Sequence, residues 1–571
     1  MLRQGAAASL AVLQRSKTRS PRLLFNPQRN SIPPQSLSSL SLDHSDEKTR
    51  ADTATVLSGK CKPNFDAKVS RPLQHKSTFE LLQSLLVFEA CQFKSLVNRG
   101  DLILSTVRTV FGNWAADTIV RYTFFQQFCG GESHEQVVKK MKELKKYSLN
   151  SILDYAAENE GTSPRTEKAK AEEIIPLNQP AREYDYENEH QCNAHLETFL
   201  KCIRTVHDGG NESKQFAAMK VTGLGSPQLL RRVSTVITQI HATVYASDET
   251  KKGYLTRDEF SKVMRIFSND NDLIEEFLDH LDPNKKNAID YLDLTSAAFA
   301  LNFDSETSIK FMDIVPNNVK YSNEERDLIH ALLARTNKIA KEASHLGVGL
   351  LVDAEQSWFQ PAIDGLTVGL QQKYNHVDVC ERPVIFTTYQ CYRKDALDHI
   401  KEDVERSKRL KYHHASKLVR GAYMEKERAR ALEFGYPSPI HNNIQETNNC
   451  YNNAVDYLLR EMKYDSGLEF MCATHNQESI EFAIERFHRL GLDGTHNHRL
   501  SFAQLYGMSD DLTMPLGENG YNVYKYLPYG KIHEVIPYLL RRAQENGDVL
   551  GKSLHEKKMI YNELRQRVKL I

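Results

Sequence analysis

Ala415-Ser-Lys417-Leu-Val419-Arg420-Gly421-Ala422-Tyr423 decides the reading of the fold. Ala415–Gly421 reads as a buried strand, closed by the small residues Gly421 and Ala422 and followed by an aromatic. Seven other runs share this form, each followed by helical sequence. They are Tyr147–Leu153, Ala217–Thr222, Gly347–Asp353, Val384–Tyr389, Phe470–Ala473, Leu500–Gln504 and Asn522–Tyr526. Strands alternating with helices predict a parallel sheet, and eight strands can close an α/β fold of the (β/α)8 barrel type. An open doubly wound sheet is the competing architecture. It lacks its usual fingerprint here, because Gly223-x-Gly225 is followed by Gln228 where a third glycine is required. Polar residues stand where the strands stop: Asp154, Asp353, Glu355, Gln390, Tyr423, His475, Gln504 and Tyr526. In a barrel these ends share one face, where active sites lie.

The chain of 571 residues carries 74 basic and 74 acidic side chains, 40% apolar and 26% charged residues, as in ordinary soluble proteins. No global basic excess points to nucleic acid. Nine scattered cysteines without a C-x-x-C pair read as reduced thiols, and no histidine cluster has metal-site spacing, so no metal is assigned. Residues 1–42 contain no acid but many Arg, Ser, Ala and Leu, the composition of a mitochondrial transit peptide. Residues 43–140 read as a linker and N-terminal helices, with Ser77-Thr-Phe-Glu80 as a capping box. These helices could touch a membrane surface, but packing on the main domain is the default reading. No run of 18 apolar residues is present to span a bilayer.

Between the second and third strands lie 124 residues, against about 30 in a typical barrel unit. The barrel is therefore divided into 141–224 and 326–551, with a helical insertion at 225–325 and a C-terminal helix at 552–571. Asp248–Glu259 and Asp282–Asp293 have the length of EF-hand loops, yet each places lysine (Lys252, Lys286) at the fifth position, where calcium needs an oxygen. The insertion is expected to be EF-hand-like, all-α and without calcium.

Tyr538-Leu-Leu-Arg541-Arg542-Ala-Gln-Glu545 read as a helix sets two guanidiniums between a phenol and a carboxylate. Such forks suit a small carboxylate ligand; a solvated face with one ion pair is the plainer alternative.

LVRGAY (418–423), ATHN (473–476), QLYGM (504–508), KYLPYG (525–530) and YLLRRAQEN (538–546), in this order, resemble the proline dehydrogenase family. VDAEQSWFQPAIDGL (352–366) and FTTYQCY (386–392) are similar to its mitochondrial eukaryotic branch. The resemblance implies non-covalent FAD, with hydride transfer from L-proline C5 to flavin N5 yielding Δ1-pyrroline-5-carboxylate. It also implies ubiquinone as acceptor and a matrix location on the inner mitochondrial membrane. By position, Arg541 and Arg542 would hold the substrate carboxylate, with Lys220 adding charge. Tyr423, Tyr526 and Tyr538 would wall the ring, and Asp154 would gate the site by pairing with Arg541. Gln390, Lys417, Val419, Gly421, Ala422, Thr474, His475, Asn476, Gln504 and Glu545 would contact or orient the cofactor. Lys417 departs from the arginine of bacterial relatives and loses the planar fork. Hydroxyproline dehydrogenase is the sister reading, disfavoured by the bulk of Tyr526. A calcium-responsive binding protein on an inactive barrel and a nicotinamide dehydrogenase are the remaining rivals.

Overall fold

The computed structural model describes residues 63–66, 71–93, 97, 99–156, 188–210, 214–248, 252–282, 284–290, 292–294, 321–465, 467–492, 494, 496–548 and 550–569. The expected transit segment 1–42 lies outside them.

The N-terminal part contains α1 (Thr78–Gln92), α2 (Gly100–Val120), a π-helical turn over Arg121–Phe125, and α3 (His134–Lys145). Ser77 and Glu80 form the expected capping box of α1. The chain then runs through β1 (Asn150–Tyr155), α4 (Glu189–Gly209) and β2 (Phe216–Met219). An insertion follows, with α5 (Pro227–Ser247), β3 (Tyr254–Leu255), α6 (Arg257–Met264), α7 (Asn271–Leu281) and β4 (Ile289–Asp290). Alternation resumes with α8 (Asn323–His345), β5 (Gly349–Val352), α9 (Gln360–Tyr374), β6 (Ile385–Gln390), α10 (Ala396–Arg409) and β7 (Ala415–Val419). After α11 (Met424–Phe434) and α12 (Ile444–Tyr464) come β8 (Glu469–Ala473), α13 (Gln477–Arg489), β9 (Leu500–Leu505), α14 (Asp510–Glu518) and β10 (Asn522–Tyr529). Two helices, α15 (Ile532–Asp548) and α16 (Leu550–Lys569), complete the described chain.

Eight strands close in the order β1-β10-β9-β8-β7-β6-β5-β2, every neighbouring pair parallel, while β3 and β4 pair separately. The eight runs read from sequence are the eight barrel strands. Their ends shift for local reasons. β1 starts at Asn150 because Tyr147 and Ser148 finish the turn after α3, with Ser148 at φ 59°. β7 stops at Val419, and Gly421 at φ 130° turns the chain away.

All eight strands contribute to one interior cluster, including Ile152, Phe216, Leu351, Phe386, Met471 and Tyr524. Phe216 meets Phe386 and Tyr524 edge-to-face, each at 5.1 Å between centroids, the preferred aromatic geometry. Gly349 leaves the space that Phe216 fills, since a Cβ there would lie 2.2 Å from its ring. Lys214 closes the N-terminal end of the barrel, 4.9 Å from the Phe386 centroid and 3.4 Å from Glu469, and burial pushes its ammonium down to about 8.

The N-terminal and C-terminal helices share a small core, with Leu81 and Phe88 of α1 against Met559 and Ile560 of α16. A buried charge ties this layer to the barrel. Asp510 takes Lys525 of β10 at 2.8 Å and Lys76, just before α1, at 2.8 Å. Burial alone would raise this carboxyl, but the two ammoniums outweigh it and hold it far below the usual range. Its stabilising contribution is therefore complete above an ordinary carboxyl pKa of about 4 and is lost as pH falls below that. Asp510→Asn should cost roughly 3–5 kcal/mol in urea unfolding at neutral pH, because the buried Lys525 and the partly buried Lys76 lose their counter-charge. A loss below about 1 kcal/mol would contradict this.

Candidate active site

The strand ends converge on one rim. Asp154 is the penultimate residue of β1, and Lys220, just past β2, donates to its Oδ1 at 2.8 Å; both are buried. Asp353, one residue beyond β5, joins two sides of the mouth: its Oδ1 takes Lys417 Nζ of β7 at 2.5 Å and its Oδ2 takes the Tyr526 hydroxyl of β10 at 3.1 Å. Lys417 Nζ also lies 5.8 Å from the Tyr526 ring centroid. Glu355 accepts from Tyr423 Oη at 2.8 Å and Thr222 Oγ1 at 3.2 Å, while its carbonyl accepts Gln390 Nε2 at 2.8 Å.

A second wall is built on β8 and β9. Gln504 Nε2 donates to the Thr474 carbonyl at 3.2 Å, and Thr513 donates to Gln504 Oε1 at 3.1 Å. His475 Nε2 accepts the Leu505 amide at 3.0 Å, so the proton sits on Nδ1 and faces Ser509 Oγ at 3.0 Å. Asn476 caps α13 through the Ser479 amide at 2.8 Å.

Between the walls the chain of β7 turns at Gly421. Gly421 and Ala422 are exposed, and the amide of Tyr392 donates to the Arg420 carbonyl at 2.7 Å. Arg420 bonds Thr474 Oγ1 at 2.6 Å, Asn448 Oδ1 at 2.9 Å and Ser479 Oγ at 3.0 Å, locking the end of β7 to that of β8. A Cβ on Gly421 would lie 2.6 Å from the Tyr392 ring. Val419 precedes this turn and its carbonyl accepts the Cys391 amide at 2.8 Å.

Helix α15 supplies the cations. Tyr538 packs with Ala156, beyond β1, and Met508, beyond β9, which sets the helix over the rim. Arg541 and Arg542 are only 9% and 7% exposed, which excludes the solvated-face reading. Arg542 Nη2 meets Glu545 Oε1 at 2.6 Å, and its guanidinium lies 5.1 Å from the Tyr538 centroid, within cation–π range. The Tyr538 hydroxyl and Arg542 Nε are buried with no protein hydrogen-bond partner. Burial raises the Tyr538 hydroxyl above its ordinary value, so it remains a neutral donor. Buried polar atoms left this way mark a place for a ligand.

Lys220, Asp154, Tyr423, Gln390, Lys417 and Tyr526 thus stand on one rim, and Tyr538, on the helix of Arg541 and Arg542, packs beside the residue that follows β1. Thr474, His475, Asn476 and Gln504 form a neighbouring wall bonded mainly to itself. Sequence reading noted Asp353 and Glu355 only as strand-end polars; alternate carboxylates at the close of β5 were the available signal. It missed Arg420, whose position inside LVRGAY could have drawn attention.

The sequence profile described as Proline dehydrogenase matches residues 137–555. The chain belongs to the proline dehydrogenase family. It is 34% identical over 542 residues to "Proline dehydrogenase 1, mitochondrial" of Homo sapiens, covering 86% of this chain and 88% of that one. The Caenorhabditis elegans protein of the same name is 33% identical, covering 86% of each. "Hydroxyproline dehydrogenase" of Xenopus laevis is 28% identical over 86% of this chain and 88% of its own. This family member is accordingly an enzyme of proline oxidation.

Gly421→Ala should destabilise the enzyme by about 1–3 kcal/mol in chemical unfolding, since it combines positive φ with a ring contact. An unchanged midpoint would show that the turn relaxes freely.

Proposed function

We propose that this enzyme oxidises L-proline to Δ1-pyrroline-5-carboxylate with FAD, passing electrons to ubiquinone at the inner mitochondrial membrane. The observation that carries the reading is the buried pair Arg541 and Arg542 with the Tyr538 hydroxyl, closing a rim of ion-paired side chains. The rim fits a flat cofactor: Gly421 and Ala422 present open backbone, and Gln390, Lys417 and Gln504 offer polar groups along it. FAD bound there would supply the two-electron acceptor for the C5–H of proline.

The side chains then divide the remaining work. Arg541 and Arg542 hold the substrate carboxylate, Arg542 being oriented by Glu545. Lys220, paired with Asp154, adds charge from the opposite side. The gate reading, Asp154 pairing with Arg541 over bound substrate, stays a proposal beside this Lys220 contact. Tyr423 and Tyr526 wall the ring, each fixed through its hydroxyl by a carboxylate. Tyr538 completes the wall from α15. Such fixed placement favours reaction by holding the C–H in an attack geometry. The substrate nitrogen gives its proton to solvent before oxidation.

L-Proline should bleach the visible flavin absorbance of the purified enzyme anaerobically; a protein isolated without flavin, or one that fails to bleach, refutes the reading. Arg542→Lys should raise KM for L-proline roughly tenfold to a hundredfold, with kcat much less affected, because the bidentate fork is lost. The hydroxyproline reading rests on the Xenopus laevis relative. Tyr526, anchored on Asp353, argues against it by filling the space beside ring C4, so kcat/KM should favour L-proline.

The mitochondrial names of the relatives support mitochondrial residence for this chain; on that reading the acid-free, Arg- and Ser-rich residues 1–42 are the transit peptide and the barrel lies on the matrix side.

We also infer that the insertion is an EF-hand-like pair whose loop carboxylates are held by protein cations, one from the insertion and one from the barrel. Tyr254↔Asp290 and Leu255↔Ile289 pair as two loops joined back to back. Lys252 Nζ lies 3.2 Å from Glu259 Oε1, and Arg409 of α10 reaches Asp290 at 2.8 Å and Asp293 at 3.3 Å. Protein cations thus already sit against these carboxylates. Roughly millimolar calcium should leave the melting temperature within about 1 °C, in contrast to the shift expected of a ligand-stabilised site.

A further inference from the structure

Helix α2 is two limbs. Gly112, at φ 82° and ψ 164°, breaks it, and Arg108 Nη2 reaches Asp117 Oδ1 at 3.5 Å across the break. In one continuous helix residues nine apart would stand about 13 Å apart along the axis. The limbs therefore fold toward each other, and Gly112 is the elbow of a short helical hairpin.

The elbow is apolar and exposed. Val110 is 64% exposed, Phe111 71% and Trp114 81%, and Thr109–Ala116 contains no charged residue. The nearest flanking charges, Arg108 and Asp117, neutralise each other. Beside the hairpin, α1 presents Phe79, Leu82 and Leu86, at helical spacing on one face. Gln83 ties α1 to this region through the Tyr122 carbonyl at 2.8 Å. The base of the hairpin packs on α15, where Val120 and Phe125 join Val535 and Leu539 in one core.

We propose that this elbow seats the enzyme in the surface of a lipid bilayer as an anchor that enters one leaflet without crossing it. The inference rests on the membrane quinone reading above and names its surface. Among the described residues no helix is long and apolar enough to cross a membrane; the contact proposed is interfacial, with apolar side chains entering the headgroup boundary. Valine, phenylalanine and tryptophan surround a protruding turn, so a flat protein partner would cover one side only, whereas lipid covers all of them. A tryptophan beside aliphatic residues suits the boundary between headgroups and acyl chains. The hairpin is rooted on α15, the helix that carries Arg541 and Arg542.

The test uses the full-length flavoenzyme and a Phe111→Ser, Trp114→Ser double variant, with vesicles of phosphatidylcholine, phosphatidylethanolamine and cardiolipin. The wild type should co-sediment with the vesicles, and brominated acyl chains should quench its tryptophan fluorescence. The variant should partition about tenfold less or weaker, lose that quenching, and keep its L-proline activity with a soluble dye acceptor. Equal binding of both proteins overturns the elbow while leaving the membrane reading intact; no binding by the wild type overturns both. If the wild type self-associates without lipid and the variant does not, a second copy covers the elbow and the proposal fails.

Discussion

Barrel closure is the constraint on which the rest depends. Eight parallel strands in one ring must all end on the same rim, so residues scattered from Asp154 to Tyr526 become neighbours. The ring closes only because its interior is filled to close packing, with Phe216 lying over the bare backbone of Gly349 and against two further aromatics. The lower end is sealed by Lys214, leaving the other end to hold ligands.

At that rim charge is arranged in pairs. Lys220 with Asp154 and Lys417 with Asp353 each place a cation beside a carboxylate largely out of solvent, while Arg542 pairs with the half-exposed Glu545. An unpaired ammonium would be costly there, and pairing also fixes orientation. Asp353 serves two strands at once, positioning both the ammonium of Lys417 and the ring of Tyr526. One carboxylate is thus enough to hold the point charge of Lys417.

The parts outside the barrel follow different rules. Asp510 joins the N-terminal arm to β10 by a buried charge cluster, and the insertion joins the barrel through Arg409. Both junctions add these charges to apolar packing, with Val87 and Phe128 of the arm beside Ala156 and Met508, and Leu230 and Ile237 of α5 in the core of the barrel's helical layer. The α2 elbow carries its large side chains outward instead, contrary to the expectation that the N-terminal helices simply pack, although their base does so.

Sequence by itself determined the eight strands, their alternation with helices, the helical character of the Arg541–Arg542 segment and the position of the insertion. These are properties of local periodicity and spacing, which each segment carries alone. It also marked the strand-end polar residues, because a strand must stop at a recognisable turn. Tertiary structure alone decided which of them meet: Asp353 with Lys417 and Tyr526, Glu355 with Tyr423 and Thr222, and Asp154 with Lys220. It also decided that the two guanidiniums are buried and that α2 bends at Gly112. Those contacts join residues far apart in the chain, and the register and closure that create them are written in no single segment.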